Sequence, residues 1–340
     1  MAFERFKNLQ LKNYNTFGIP SIAKELILIN NIDDIFLAVN QEIFTHKHLI
    51  IGGGSNILLD GDYDGIVIKN NLKGKQVIHE DDDFVWVKAA GGEVWHELVM
   101  YCVDRNLGGI ENLSLIPGTV GAAPMQNIGA YGVELTDVFE TLEAIDILTG
   151  ELKLFSKADC AFGYRTSVFK TNLKGRYIIT AVTLKLSKHP LIKMQYGAIK
   201  DVLAAQQIDA PTIKDISNAV IAIRSSKLPD PKILGNAGSF FKNPEISSLQ
   251  YGELKLVYPE MPGFPTQNNL TKVPAGWLIE QCGWKGKRIG NSGAHKDQAL
   301  VLVNYGNATG QEIIALAEAI QQSVLEKFGI TILPEVNLIS

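Results

Sequence analysis

The chain has 340 residues, 46% hydrophobic and 20% charged, which at roughly 150 residues per domain predicts two or three domains with ample cores. Lys and Arg total 32 against 36 Asp and Glu, and the net charge of -4 removes any global electrostatic case for a nucleic-acid or anionic-membrane partner. No apolar run approaches the ~18 residues that span a bilayer, and the opening MAFERFKNLQ carries charge where a signal peptide carries its apolar stretch, so the mature protein is expected in the cytoplasm.

Residues 21 to about 135 alternate strand and helix. Glu25 to Ile29 and His48 to Ile51 are short apolar runs, separated by a helical stretch that Asp33 and Asp34 open on the favourable side of the helix dipole. Phe84 to Val87 predicts a buried strand; after Gly91-Gly92 comes an amphipathic helix carrying Trp95, Leu98, Val99 and Cys102 on one face and stopping near Asn106. A strand-rich stretch follows in Leu142 to Leu148, Leu152 to Phe155 and Tyr177 to Leu186. Two helical stretches then end at Leu228-Pro229-Asp230-Pro231, which suits a boundary. Near the end Thr309 and Glu312 form a capping box, the stripe Ile313, Leu316, Ala317, Ile320, Val324 and Phe328 predicts core packing, and Gly329 closes the helix. Ile330 to Leu333 is expected as a closing strand delivering Pro334-Glu335. Cys102, Cys160 and Cys282 are odd in number and widely spaced, which predicts reduced, buried thiols.

Glycine-rich segments carry the chemistry. His48-Leu-Ile-Ile-Gly52-Gly53-Gly54-Ser55-Asn56 runs a strand into backbone without side chains, where N–H groups can converge on an anion, although a plain tight turn has the same signature. It fits neither the G-x-G-x-x-G fingerprint nor a Walker A loop, because Ile57-Leu58-Leu59 and a turn stand where a helix is required. The longer segment from Glu111 to Gly132 alternates small residues with uncharged hydrogen-bonding side chains, which suits close approach to a large, flat, neutral ligand or tight packing against another element. Ser239-x-x-Lys242 formally matches serine acyl-enzymes, but Pro244 disfavours the shared helix face this needs and no K-T-G or S-D-N element accompanies it. The six histidines show no metal-ligand spacing, so no metal is expected.

Nine segments in order, Asn15-Thr16-Phe17, Gly52 to Asn56, Ile116 to Gly121, Asn127 to Gly132, Phe162 to Arg165, Arg224 to Pro229, Gly238 to Pro244, Ala275 to Ile279 and Leu333 to Glu335, resemble the bacterial UDP-N-acetylenolpyruvoylglucosamine reductases over nearly the whole chain. The resemblance implies an α+β fold: a vanillyl-alcohol-oxidase (PCMH)-type FAD-binding pair of subdomains, 1–70 with 329–340 returning near it and 71–210, plus a substrate-closing C-terminal α+β domain at 211–328. By the same resemblance Gly52, Gly53, Gly54, Ser55 and Asn56 contact the FAD pyrophosphate, while Ser114, Ile116, Pro117, Gly118, Thr119, Gly121, Ala122, Asn127, Gly129 and Tyr131 line the rest of the cofactor.

The implied reaction takes hydride from NADPH to the flavin and then to the methylene carbon of UDP-N-acetylglucosamine enolpyruvate, giving UDP-N-acetylmuramate for peptidoglycan precursor synthesis. That addition leaves an enolate-like charge beside the substrate carboxylate, which needs cationic and hydrogen-bonding stabilisation and a proton. Arg165 and Glu335 match the family's stabilising pair and Ser239 its proton donor; Tyr164, Tyr196, Lys227, Asn243 and Gln298 match substrate contacts. Phe264 stands where many relatives of the longer type, marked by the Tyr196 loop, carry a tyrosine on the substrate diphosphate. A monomer is expected, with the small-molecule substrate as its partner and neither nucleic acid nor membrane. Two other classes are separable from it: a serine acyl-transferase on Ser239 and Lys242, which would take an acylating probe and no flavin, and a UDP-sugar-binding protein without redox function, against which the intact Arg165, Ser239 and Glu335 set argues.

Overall fold

The computed structural model describes residues 3–194, 197–266 and 268–340. Two compact units interleave along the chain: Met1–Leu9, Ala23–Gly54 and Asp64–Ser226 form one, and Gln10–Ile22, Ser55–Tyr63 and Lys227–Ser340 the other.

The first unit is built on two sheets. A four-stranded sheet is ordered Arg5–Gln10, Ile22–Ile29, Tyr63–Asn70, His48–Ile51, the last two parallel with Ile51 opposite Lys69. Its helix Ile32–Asn40 begins at Asn31, whose side chain accepts from the Asp34 N–H while Asp34 reaches back, the reciprocal cap that acidic residues in a first turn favour. A five-stranded sheet is ordered Leu152–Ser156, Phe139–Asp146, Tyr177–Ser187, Phe84–Ala90, Lys75–Glu80. Period-two alternation sends Val85, Val87 and Ala89 into the core, where they meet Trp95, Leu98, Val99 and Cys102 of the helix Trp95–Val103. Burial pushes the Cys102 and Cys160 thiols up to about 12, so both behave as small apolar residues. The helices Gly197–Ala205 and Ile213–Lys227 pack through Ile199 and Leu203 against Ile216, Ala219, Val220 and Ile223.

The second unit has a four-stranded sheet, Gly235–Ser239, Val301–Asn304, Ser292–Ala294, Arg288–Ile289, and a three-stranded one, Glu245–Ser247, Leu270–Lys272, Phe264–Pro265. The helix Gly310–Phe328 is capped by Thr309 and Glu312, buries all six residues of its apolar stripe and ends on left-handed Gly329. Each large side chain in that stripe contributes about 1.5–3 kcal/mol of transfer free energy. One expectation needs correction: Ile330 to Leu333 is not a strand. Ile330 and Ile332 are buried and Leu333 is exposed, as a strand would have them, yet they pair with nothing regular. The strand is Asn337–Ile339, which lies parallel to Ile57–Leu59, because that edge is where unpaired backbone partners exist.

Candidate active site

In the first unit, the glycine segment and the long Gly/Ala segment meet backbone to backbone. A Cβ on Gly53 would stand 3.1 Å from the Gly118 Cα, and one on Gly52 would stand 2.2 Å from Thr119 Oγ1. Gly121 is itself a packing glycine, its N–H bonded to the Gly91 carbonyl at 2.8 Å. The packing and the ligand-approach readings of the long segment therefore both hold, at different residues. Lys69 donates to the Gly52 carbonyl at 2.8 Å. Burial, and then the neighbouring Lys73, lower its ammonium pKa. Thr119 Oγ1 and Asn112 Oδ1 are buried without a hydrogen-bond partner among the described residues. A side-chain-free cradle, a cation beside it and two orphaned polar atoms along the adjoining segment are what a pyrophosphate followed by a heteroaromatic system requires. The residues present fit FAD.

Left-handed backbone at non-glycine residues concentrates in the same unit, at Leu115 (φ 57°), Asn127 (φ 44°), Tyr131 (φ 50°) and Arg165 (φ 54°). Each costs about 1–2 kcal/mol, so each is held by its surroundings. Leu115 donates its N–H to His96 Nδ1 at 3.0 Å and accepts from Arg224 Nε at 3.3 Å. Burial and the Arg224 charge lower the His96 pKa, with Glu97 opposing. Burial also lowers the Arg224 pKa, while Tyr131 opposes and Arg165 adds to the lowering. Arg165 sits in a tight turn closed by reciprocal bonds between Gly163 and Thr166 at 3.1 and 3.2 Å, and its Nη2 donates to the Gly129 carbonyl at 2.6 Å. Its guanidinium lies 5.5 Å from the centroid of the partly exposed Tyr164 ring.

Not every residue expected to line the cofactor presents its side chain. Ser114 is fully buried, its hydroxyl donating to the Glu111 carbonyl and paired with Ser217 Oγ at 2.8 Å. Asn127 is buried with its amide engaged by Glu134, Gly163 and Thr136. Ile116, Gly118, Ala122 and Gly129 are half-buried, and Pro117 is exposed.

The second unit brings Ser239 and Glu335 together. Asn236 folds its amide onto the Pro229 and Leu234 carbonyls and accepts the Gly238 N–H at 2.9 Å. Left-handed Gly238 and a register shift in the strand then turn Ser239 outward, exposed and with a hydroxyl that bonds to none of the described residues. Behind it Phe17 packs edge-on against Phe240 at 6.2 Å. Asn15 ties its own turn through Leu11 and Ile19, which gives the Asn15-Thr16-Phe17 segment a supporting task. The tail runs alongside, with the Glu335 N–H on the Phe240 carbonyl at 2.8 Å and the Lys242 N–H on the Leu333 carbonyl at 2.9 Å. Asn56 donates to the Glu335 carbonyl at 3.4 Å, and Asn337 binds the Asn56 carbonyl. Ser239 and Lys242 share no helix: one closes a strand and the other lies against the tail.

Lys227 is exposed. Asn243 accepts the Ala275 N–H at 2.9 Å and Gln298 accepts the Leu300 N–H at 3.4 Å, so each amide spends its oxygen, while its NH2 group bonds to no described residue. Phe264 is exposed on a short strand. Tyr196 lies outside the described residues. Sequence reasoning missed Lys69, His96, Arg224 as the Leu115 anchor, and Glu134. Of these Glu134 left a signal, as the charge that ends an uncharged run, and Arg224 stood in a matching segment without pointing to Leu115.

Residues 35–156 match the family described as FAD binding domain, and residues 230–339 match that described as UDP-N-acetylenolpyruvoylglucosamine reductase, C-terminal domain. A UDP-N-acetylenolpyruvoylglucosamine reductase of Flavobacterium johnsoniae is 54% identical over 98% of both chains, and one of Amoebophilus asiaticus is 51% identical over 98% of both. The crystal structure of the UDP-N-acetylenolpyruvylglucosamine reductase of Thermus caldophilus superposes over 100% of both chains with a TM-score of 0.67 at 24% identity. The expected α+β FAD-binding fold with a C-terminal α+β domain is therefore the one observed.

Proposed function

The chain belongs to the UDP-N-acetylenolpyruvoylglucosamine reductase family, and on that premise we propose how its residues reduce UDP-N-acetylglucosamine enolpyruvate to UDP-N-acetylmuramate for peptidoglycan precursor synthesis, with bound FAD and with NADPH as electron source. The observation that carries the assignment to particular residues is the outward Ser239 hydroxyl beside the backbone pairing of Phe240 with Glu335.

The flavin, when bound, carries two electrons from the nicotinamide to the enolpyruvyl carbon. Gly52 to Asn56, with Lys69, hold its phosphates through backbone N–H groups and positive charge. Thr119 and the segment from Ile116 to Ala122, continued by Gly129 and Tyr131, line the remainder. Arg165 offsets the negative charge that develops next to the substrate carboxylate, and its bond to the Gly129 carbonyl sets the plane of the guanidinium fork. Glu335 shares this task, as the family resemblance implies. Ser239 supplies the proton to the adjacent carbon; a hydroxyl is a weak acid in water, so its competence comes from being held against that carbon. The NH2 groups of Asn243 and Gln298 and the ammonium of Lys227 suit the diphosphate and sugar, with Tyr164 and Tyr196 also on the substrate and Phe264 unable to supply a hydroxyl.

The same reading takes the protein as a cytoplasmic monomer. Among the described residues no helix is long and apolar enough to cross a membrane. A visible absorption spectrum taken anaerobically tests the whole scheme. The flavin band should bleach with NADPH and return on addition of the enolpyruvyl nucleotide. A protein that stays colourless after incubation with FAD would overturn it.

A further inference from the structure

Arg165 stands on a turn that is closed by Gly163 and Thr166 and tied from outside as well. The turn's Gly163 carbonyl accepts Asn127 Nδ2 at 3.3 Å, and the same Nδ2 donates to Glu134 Oε2 at 2.8 Å. The Asn127 oxygen accepts the Thr136 N–H at 3.0 Å, so the amide is held at both ends. A second connection runs through backbone. Gly129, whose carbonyl takes the Arg165 guanidinium, pairs with Glu134 across the short hairpin of Gly129–Ala130 and Val133–Glu134. A Cβ on Gly129 would stand 2.9 Å from Glu134 Cγ and 3.0 Å from Arg165 Nη1, so the glutamate stem and the guanidinium flank one glycine.

We propose that Glu134 is a positioning residue for the reaction: through Asn127 on one side and Gly129 on the other, it sets where the Arg165 guanidinium stands. A carboxylate acceptor makes the Asn127 bond charge-assisted, which holds an amide whose side chain bridges two chain segments at a left-handed residue. Left-handed Arg165 is strained, and without that bridge its turn relaxes. A shift of about 1 Å at a charge-stabilising group costs on the order of a hundredfold in rate. The proposal rests on Arg165 being the substrate-facing cation.

The test separates the two half-reactions by anaerobic stopped flow. Glu134→Ala should slow flavin reoxidation by the enolpyruvyl nucleotide about a hundredfold, while flavin reduction by NADPH, FAD content and melting temperature stay near the parent values. Glu134→Gln, whose side-chain oxygen still accepts from Asn127, should recover to within a few-fold. Calorimetry with UDP-N-acetylmuramate on the oxidised protein should show weaker binding to Glu134→Ala and parent-like binding to Glu134→Gln. Should the alanine variant not fold, Glu134→Asp, which draws the carboxylate back by one methylene, should give the same selective slowing. Normal reoxidation in Glu134→Ala, or equal loss in both half-reactions, overturns the proposal. Arg165→Met is the control: if it reoxidises at the parent rate, the role given to Arg165 fails and the positioning role with it. If it is slow, adding Glu134→Ala should cost nothing more, and a further loss would show that Glu134 acts elsewhere.

Discussion

A Cβ atom placed on Gly52 would stand 2.2 Å from Thr119 Oγ1, so the first glycine of the phosphate segment owes its identity to a hydroxyl in the second. Thr is restricted at χ1, so moving that hydroxyl clear costs energy. Gly52→Ala should cost about 1–3 kcal/mol through overpacking, lower the melting temperature by several degrees and loosen FAD. Thr119→Ala removes an oxygen that has no partner among the described residues, so it should be near neutral for melting temperature, and the double variant should regain most of the lost stability. A double variant no better than Gly52→Ala alone would place the strain elsewhere. Differential scanning fluorimetry on all four proteins decides it.

Lys69 reaches the Gly52 carbonyl across a parallel register in which Ile51 faces Lys69, so strand pairing delivers the ammonium to the glycine segment. Lys69→Met keeps the stem and removes the charge. FAD affinity should fall about tenfold, or about 1.4 kcal/mol, and the loss should shrink as salt is raised. Riboflavin, which has no phosphates, should bind parent and variant alike. Equal weakening for riboflavin would show that Lys69 only braces the loop. Its lowered pKa also means that the charge is lost at lower pH than for an ordinary lysine, so FAD affinity in the parent should begin to decline earlier on the alkaline side.

These contacts mark what the sequence makes legible. The helix Gly310–Phe328, its cap and its stripe follow from spacing alone, because helical periodicity and capping are local. Strands His48–Ile51 and Tyr177–Ser187 follow from apolar runs. Ile330 to Leu333 misleads because burial alternates there without a neighbour to pair with, and strand identity is a property of two segments rather than one. Arg165 and Glu335 were unremarkable as single residues, Ser239 offered only a formal acyl-enzyme match, and the three became candidates for this reaction only through the ordered resemblance. Lys69 and His96 stayed hidden because each acts on a carbonyl or an N–H that folding brings up from another segment. No spacing rule encodes such a meeting.

Ser239 loses no hydrogen bond when its hydroxyl is removed, since it makes none with the described residues. Ser239→Ala should therefore change stability by less than about 0.5 kcal/mol and leave flavin reduction by NADPH intact. Reoxidation by the enolpyruvyl nucleotide should slow by about 10² to 10⁴, the range expected for a lost general acid. Single-turnover absorbance traces read both rates from one sample. A variant impaired equally in reduction would take the proton-donor role from Ser239.

His96 offers the clearest dependence on pH. Its Nδ1 accepts the N–H of left-handed Leu115, a bond only the neutral ring can make. Burial and the Arg224 charge lower its pKa below the usual value of about 6.5, with Glu97 pulling the other way. The unfolded chain therefore binds more protons than the native one in the window just below pH 6.5, and stability there rises with pH. The contribution is complete above that value and drains away as pH falls towards the native pKa. His295 is lowered in the same direction by burial and then Lys296, with Asp297 opposing, so the parent protein alone cannot assign the effect. His96→Asn can place an oxygen near the Nδ1 position without titrating. Its melting temperature should match the parent at pH 8 and exceed it at pH 5.5, with flavin retention following the same order. His96→Ala leaves the Leu115 N–H without its acceptor at every pH, and should cost about 1–3 kcal/mol throughout. Parallel melting curves for the parent and His96→Asn between pH 5.5 and 8 would mean that this imidazole is not the group that titrates.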